Sequence, residues 1–356
     1  MKTALLGMNL KELEALCNAQ GLPRFTAKQM ADWLYKKKVR DISQMTNLSK
    51  VAREKLSESC EVGASEAAGC ITSTDGTKKY AFPTAGGRFV EAVMIPDGDR
   101  ATLCVSCQAG CKMGCKFCMT GRQGFHGNLT AAEIISQFIS IDESDILTNA
   151  VFMGMGEPLD NWDNVSKAIE ILTADWGFAW SPKRITLSTI GITDKLKAFL
   201  DGTKCHLAVS LHNPFPEERQ QLMPAQHRYD IRDVISLIKK YDFSGQRRVS
   251  FEYTMFAGVN DDKRHADGVI ALLKGIPCRV NLIRFHKIPD SDLSTCPTEI
   301  MEIFEQRLAK AGITTTIRAS RGEDILAACG MLAGKVSESC ATGNGCSGSP
   351  LPESQN

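Results

Sequence analysis

Three thiols within eight residues, Cys111-Lys112-Met113-Gly114-Cys115-Lys116-Phe117-Cys118, give the spacing CxxxCxxC. Three thiolates on one loop can hold three irons of a [4Fe-4S] cubane and leave the fourth iron open to an outside ligand. A structural zinc site usually takes four protein ligands. Cys104 or Cys107 would have to supply the fourth, so zinc stays open beside the favoured iron-sulfur reading. Other chemistry-bearing residues are Glu157 in Met155-Gly156-Glu157-Pro158, Ser188, the triplet Ser210-Leu211-His212, and His286. The Gly156-Glu157 turn is not a dinucleotide fingerprint, because the downstream glycines are missing.

These residues lie where strands end. Candidate strands span 101–107, 150–155, 184–189, 206–212, 248–256 and 278–285, with a last one at 313–319. Helical stretches follow near 130–141, 161–174, 194–200, 230–241, 262–274 and 298–311. Six such units imply a parallel sheet, doubly wound or curled into a barrel, with chemistry at its C-terminal strand ends. Upstream, residues 61–100 read as short strands with turns at Asp75-Gly76 and Asp97-Gly98, a small β connector. Residues 1–60 read as helices, with Asn9 and Thr26 as caps and a further segment from Leu48 to Leu56. The Gly/Ser/Pro-rich tail, residues 333–356, reads as flexible.

The 356 residues carry 42 basic and 41 acidic side chains, a net charge of +1. The balance is uneven: residues 1–60 hold 11 Lys/Arg against 6 Asp/Glu, the remainder 31 against 35. The run Lys36, Lys37, Lys38 and Arg40 beside Trp33 and Tyr35 suits phosphates and stacked bases as well as it suits a solvated helix face. With 43% apolar residues, a packed core is expected. No apolar run reaches a membrane span, and Lys11 and Glu12 interrupt any signal-peptide core. The expectation is a cytoplasmic protein without a membrane partner, and the crowding of five of its 14 cysteines within 104–118 points to metal binding or catalysis rather than a disulfide framework.

The spacing and context of the cysteine loop resemble the radical S-adenosylmethionine (SAM) superfamily. CVSCQAGCKMGCKFCMTGRQGF, MGMGEPL, TLST, VSLH and RGEDILAACGMLAG further resemble the RlmN/Cfr-type RNA adenine methyltransferases. FTAKQMADWLY and SQMTNLSKVAREKL are similar to that family's N-terminal accessory domain, and the likeness runs from about residue 4 to 336. It implies a partial (β/α)6 radical-SAM barrel over 101–332, a helical RNA-binding accessory domain over 1–60, and [4Fe-4S] and SAM as cofactors. Cys111, Cys115 and Cys118 would bind the cluster. Gly156, Glu157, Ser188, Ser210, Leu211, His212 and His286 would bind SAM, with Glu157 receiving the methionyl ammonium. RlmN-type sequences commonly carry an asparagine where His286 stands.

By the same resemblance, Cys329 carries the methyl group and Cys104 resolves the adduct, while Glu91, its pKa raised near an apolar pocket, takes the proton from the adenine carbon. Residue type alone would assign all three to packing or to a surface strand. Carbons 2 and 8 of adenine are not nucleophilic, so direct attack on the SAM methyl is closed and radical chemistry is required. As implied, Cys329 thiolate accepts a methyl from one SAM. A second SAM, cleaved at the reduced cluster, yields the radical that activates this methyl for addition to adenine. Cys104 then attacks the Cys329 sulfur, forming a disulfide and freeing the product. The expected substrate is an adenosine of 23S ribosomal RNA, at carbon 2, with transfer RNA as a further substrate. An external electron donor and a monomeric enzyme are also expected. Carbon 8, a non-RNA substrate, and a zinc-stabilised RNA-binding protein remain the alternatives.

Overall fold

The computed structural model describes residues 2–334, apart from Ser244 and Gln246. The expected flexibility of residues 335–356, with Cys340 and Cys346, lies outside the described residues.

The head contains β1 (Thr3–Ala4), α1 (Leu10–Ala19), α2 (Thr26–Ala31), α3 (Lys50–Ser59) and β2 (Cys60–Glu61). Asn9 caps α1 as expected: its Oδ1 accepts from Glu12 N at 3.0 Å, and Glu12 Oε2 accepts from Asn9 N at 2.9 Å. Thr26 does not cap. It is the first residue of α2, preceded by Phe25 already in helical conformation, and α2 runs on into a π-helical turn, Asp32–Lys36. Nor does Leu48 open the third helix, which Ser49 caps by accepting from Ala52 N at 3.1 Å. β1 and β2 pair in parallel, Thr3 beside Cys60, so the head begins and ends at one place.

The basic run of the head divides between its own surface and the rest of the chain. Lys38 Nζ donates to Ser144 O and Oγ, both at 2.8 Å, and to Asp145 Oδ1 at 2.7 Å. Arg40 Nη2 donates to Ile139 O at 2.6 Å. Lys36 and Lys37 pair with Asp32, and the Lys37 ammonium lies 3.6 Å over the Trp33 ring. Two of these four cations therefore clamp the head to the barrel.

The rest of the chain forms β3 (Gly69–Thr72), β4 (Lys78–Pro83), β5 (Phe89–Asp97), β6 (Arg100–Cys104), β7 (Gln108–Gly110), α4 (Met119–Arg122), β8 (Phe125–Asn128) and α5 (Ala131–Ile139). These are followed by β9 (Asn149–Phe152), α6 (Trp162–Thr173), β10 (Ile185–Thr189), α7 (Thr193–Gly202), β11 (His206–Ser210), α8 (Pro216–Leu222) and α9 (Ile231–Ile238). The last elements are β12 (Val249–Met255), α10 (Lys263–Leu273), β13 (Cys278–Arg284), α11 (Thr298–Lys310) and β14 (Thr314–Ile317). One ten-stranded sheet has the order β14-β13-β12-β11-β10-β9-β6-β5-β4-β3. From β6 to β14 all pairs are parallel, the expected six strand-helix units and closing strand.

Residues 61–100 are not a separate connector. β3, β4 and β5 continue the same sheet antiparallel, folded back through the Asp97-Gly98 turn, because β5 pairs directly with β6. The ordered body also passes residue 332, since Ala333 and Gly334 are bonded to Glu91.

Side-chain alternation gives the sheet two unlike faces. Phe152, Leu187, Leu207, Val209, Phe251 and Val280 occupy one, each at most 1% exposed beneath the helices. Of these helices, α9 offers Ile231, Val234, Ile235 and Ile238, all buried, at the spacing of a single helical stripe. Each such side chain contributes roughly 1.5–3 kcal/mol by leaving water. The other face is polar and opens to solvent: Ser210, Glu252, Asn281 and Thr316 stand in register across four strands. The chemistry lies on this second face.

Candidate active site

The cysteine loop joins β7 to β8. It is folded by Cys111 N to Gly124 O at 2.9 Å, Cys118 N to Cys115 O at 3.2 Å and Lys116 N to Leu222 O at 3.0 Å. Phe117 turns inward and packs edge-on against His212, with centroids 4.8 Å apart, and against Phe256 at 5.3 Å. Cys111, Cys115 and Cys118 lie within electrostatic reach of one another. Burial pushes the Cys111 thiol up to about 12 and Cys115 well above its ordinary value. Burial holds these thiols in their protonated form, so a metal cluster that takes them as thiolates must offset that cost and release their protons. Among the described residues no three His, Cys, Asp or Glu side chains converge on one ion-sized point. Three cysteines on one loop match the three protein ligands of a [4Fe-4S] cluster that leaves one iron open. Cys107 is 2% exposed, with its Sγ 3.6 Å from Met155 O, and belongs to the core.

Arg219, a residue no sequence pattern picks out, is 1% exposed beside Cys115. Its Nε donates to Leu211 O at 3.0 Å and its Nη2 to Ser210 O at 2.7 Å, and Nη1 donates to Gln226 Oε1. It thus ties α8 to the end of β11 and supplies a positive charge near Cys115, where thiolates would gather.

Gly156 adopts φ +102, and a Cβ there would come within 2.6 Å of Gln108 Cβ, so the turn after β9 requires glycine. Glu157 is 3% exposed, and burial raises its carboxyl to about 7 against the lowering effect of Thr189, Ile190 and Leu159. Its Oε1 accepts from Thr189 Oγ1 at 2.6 Å and Leu159 N at 3.1 Å, and its Oε2 from Ile190 N at 3.0 Å. The carboxylate braces the ends of β9 and β10 while one lone pair of Oε2 is left for a further donor.

Ser188 and Ser210 are half-buried on the polar face. Leu211 is buried, and its N–H and that of His212 donate to Glu252 O at 3.0 and 3.2 Å. His212 has φ +54, a strained conformation for a residue with a side chain. Asn260, 0% exposed, holds it there by donating to His212 O at 2.6 Å and Thr254 O at 2.8 Å and accepting from Phe256 N at 2.7 Å. His212 Nδ1 accepts from Thr254 N at 2.9 Å, which leaves its Nε2 as the N–H donor. Burial, then Arg219, drops its pKa to about 3, so the ring is neutral. His286 meets the chain instead of facing an open pocket: Nε2 lies 2.9 Å from Ser320 Oγ and Nδ1 3.0 Å from Glu323 Oε1.

Cys104 and Cys329, far apart in the chain, come within electrostatic reach of each other. Burial, and secondarily Cys329, pushes the Cys104 thiol up to about 12. Cys329 is open to solvent, yet surrounding protein still raises its thiol, Arg318 opposing and Glu252 reinforcing the rise. Arg318 Nη1 lies 3.5 Å from Glu252 Oε2 and 3.7 Å from Met153 Sδ. Glu252 Oε1 also accepts from Asn281 Nδ2 at 2.8 Å, so Arg318, a cation near both thiols, is held by a buried carboxylate. Neither Arg318 nor Glu252 stands in a local motif; only strand register brings them here.

Glu91 is 2% exposed, but its surroundings are not the apolar pocket expected. Lys79 Nζ lies 3.1 Å from its Oε1, and its Oε2 accepts from Ala333 N at 2.6 Å and Gly334 N at 2.9 Å.

Comparison with known proteins agrees with this geometry. Residues 105–267 match the radical SAM superfamily, and residues 3–62 match the ribosomal RNA large subunit methyltransferase N-terminal domain. The chain is 57% identical over 338 residues to a probable dual-specificity RNA methyltransferase RlmN of Porphyromonas gingivalis, covering 95% of this chain and 96% of the relative. It is 43% identical to the dual-specificity RNA methyltransferase RlmN of Marinobacter nauticus, covering 95% and 94%. A radical SAM methyltransferase from Sphaerobacter thermophilus superposes with a TM-score of 0.88 at 37% identity, over 94% of this chain and all of that one. The chain belongs to the RlmN family of dual-specificity RNA methyltransferases, within the radical SAM superfamily.

Proposed function

We propose that this chain methylates an adenosine of 23S ribosomal RNA at carbon 2, and transfer RNA as a second substrate, through a methyl group carried on Cys329. The observation that carries the reading is the meeting of Cys104 and Cys329 beside the cysteine loop, Cys329 also lying within electrostatic reach of Cys118. Cys111, Cys115 and Cys118 would hold the [4Fe-4S] cluster, and Gly156, Glu157, Ser188, Ser210, Leu211 and His212 would surround SAM. When bound, the cluster and SAM supply the methyl group and the radical chemistry that an unactivated aromatic carbon requires.

The chain's own residues do the rest. Cys329 carries the methyl into the open mouth of the barrel, where an adenosine extruded from its stack can reach it. Glu91 accepts the proton from the adenine carbon. Cys104 thiolate attacks the Cys329 sulfur and a disulfide forms as the sulfur–carbon bond to the product breaks; its electron pair stays with the product carbon, which takes up a proton to complete the methyl group, and reduction of the disulfide restores both thiols. Arg318 stabilises each thiolate in turn. An external donor supplies electrons, and the enzyme acts as a cytoplasmic monomer without a membrane partner. In support of the last point, no helix among the described residues is long and apolar enough to cross a membrane.

Nucleoside mass spectrometry of ribosomal and transfer RNA, from cells with and without the gene, tests the reading. Enzyme-dependent 2-methyladenosine in both RNA classes is expected. The isomer methylated at carbon 8 would overturn the positional assignment, and methylation persisting in Cys329→Ala would overturn the cysteine route.

A further inference from the structure

Residues 330–334, just after Cys329, are gripped along both edges. On one edge their carbonyls accept from α4, the short helix that follows Cys118: Met119 N to Gly330 O at 2.8 Å, Thr120 Oγ1 to Leu332 O at 2.8 Å and Gln123 Nε2 to Ala333 O at 2.7 Å. On the other edge the N–H groups of Ala333 and Gly334 both donate to one oxygen, Glu91 Oε2. Gly334 has φ +60, and a Cβ there would come within 2.3 Å of Phe89 O, so the chain lies flush against the strand that carries Glu91.

That strand also sets the distance to the chemistry. Val93 is opposite Cys104 and opposite Lys79, so Glu91, two residues along, shares one face with Lys79 and Cys104. Upstream the same segment is moored by Gly322 N to Asp75 Oδ2 at 3.0 Å and by Thr74 N to Asp324 Oδ2 at 3.1 Å. Between these moorings Cys329 is left open to solvent.

We propose that Glu91, neutralised by Lys79, is a positioning residue for the first half of the reaction: it anchors the segment carrying Cys329, through the main-chain N–H groups of Ala333 and Gly334, so that the thiol faces Cys104 and the cluster loop. The inference rests on the reading of Cys329 as methyl carrier and goes beyond the proton transfer assigned to Glu91. A carboxylate buried to 2% exposure is costly unless paired and hydrogen-bonded. Its three donors are Lys79 and the segment itself, so docking the segment and satisfying the charge are one event. The step it serves balances without redox change: the Cys329 S–CH3 bond forms as the sulfonium S–CH3 bond of SAM breaks, S-adenosylhomocysteine departs, and the thiol proton passes to solvent.

The test uses reconstituted enzyme with SAM and no RNA, a setting in which a base for the adenine carbon has no part. Two quantities are followed in wild type, Glu91→Ala and Glu91→Gln: hydrogen exchange of the Ala333 and Gly334 amides, and the mass gain of the Cys329 peptide on methylation. Hydrogen bonds to a charged acceptor are strong enough that Glu91→Ala should speed exchange roughly ten-fold or more and slow methylation of Cys329 to a similar degree. Glu91→Gln, whose carbonyl oxygen still accepts both N–H groups although its NH2 then faces Lys79, should recover part of both. Wild-type exchange and methylation in Glu91→Ala would overturn the anchor, as would a Glu91→Gln enzyme as slow as Glu91→Ala. If Glu91→Ala does not fold, Gln123→Ala loosens the opposite edge and must show smaller changes of the same sign, and unchanged values overturn the proposal. A wild-type enzyme that never gains a methyl on Cys329 refutes the proposed cysteine route, while the exchange rates still decide whether Glu91 is the anchor.

Discussion

Asn260→Ala should be among the most damaging single changes outside the cysteines, although Asn260 is not expected to touch substrate. Its side chain is 0% exposed and makes three hydrogen bonds, to His212 O, Thr254 O and Phe256 N. Truncation leaves two carbonyls and one N–H without those partners, and each such buried group costs about 1–3 kcal/mol. Together the three would cost about 3–9 kcal/mol, and partial satisfaction by water entering the vacated space places the loss toward the low end, about 3–5 kcal/mol. The same change frees His212 from φ +54, a conformation that costs about 1–3 kcal/mol to hold, so the imidazole should swing away from Phe117. Equilibrium urea unfolding gives the stability, and SAM affinity of the reconstituted enzyme reports the imidazole. Expected are a loss of at least about 3 kcal/mol and at least ten-fold weaker SAM binding. Asn260→Asp, which turns an oxygen toward two carbonyls, should fare no better. A loss below about 1 kcal/mol with unchanged SAM affinity would refute the reasoning.

Cys104→Ala should accumulate a covalent protein–RNA adduct on denaturing gels, and absence of the adduct would exclude Cys104 as the resolving thiol. Because the Cys104 thiol is pushed up to about 12, its thiolate fraction climbs with pH through the neutral range. Adduct release in the wild type should therefore quicken about ten-fold per pH unit between roughly pH 7 and 9, and a flat profile would argue against thiolate attack. Lys38→Met removes three hydrogen bonds between head and barrel and should cost about 1–3 kcal/mol, with faster amide exchange in α1 and α2. Reduced RNA affinity with unchanged head exchange would instead assign Lys38 to RNA. Cys111→Ser should purify anaerobically without iron and sulfide absorbance while keeping the far-ultraviolet circular dichroism of the fold, and retained iron would remove Cys111 from the cluster.

The six strand-helix units were legible because each outer-face strand position is apolar and each helix repeats its own stripe, both local patterns. Asn9 was legible for the same reason, since its capping partner Glu12 is three residues away. Thr26 misled because a cap is defined by backbone conformation, and Phe25 was already helical. The short strands and turns of β3–β5 were legible, but not that they extend the large sheet, because that depends on β6 also pairing with β9, which is distant in the chain. Distance in the chain also hid Glu252 and Arg318, brought together by register across strands, and Arg219, which reaches the end of β11 from α8. The basic run at Lys36–Arg40 read correctly as charge but not as partner: Ser144 and Asp145, which take up Lys38, lie over a hundred positions on. The cysteine spacing pointed to a cluster unaided, whereas the roles of Cys104 and Cys329 needed the family resemblance, because an isolated cysteine looks like a core residue.

The two unlike faces of the large sheet divide the hazards of change. A substitution at Phe152, Leu187 or Phe251 is charged against stability, since those side chains are the core. One at Ser188, Ser210 or Asn281 lies on the opposite, polar face of the same sheet, where the side chains are half-buried, and leaves the core contacts intact. Parity along a strand therefore sorts mutations into those that melt the protein and those that alter what it recognises. Such a molecule can drift in substrate preference over evolutionary time while its melting temperature stays nearly constant, and a library confined to the polar face should yield folded variants at high frequency.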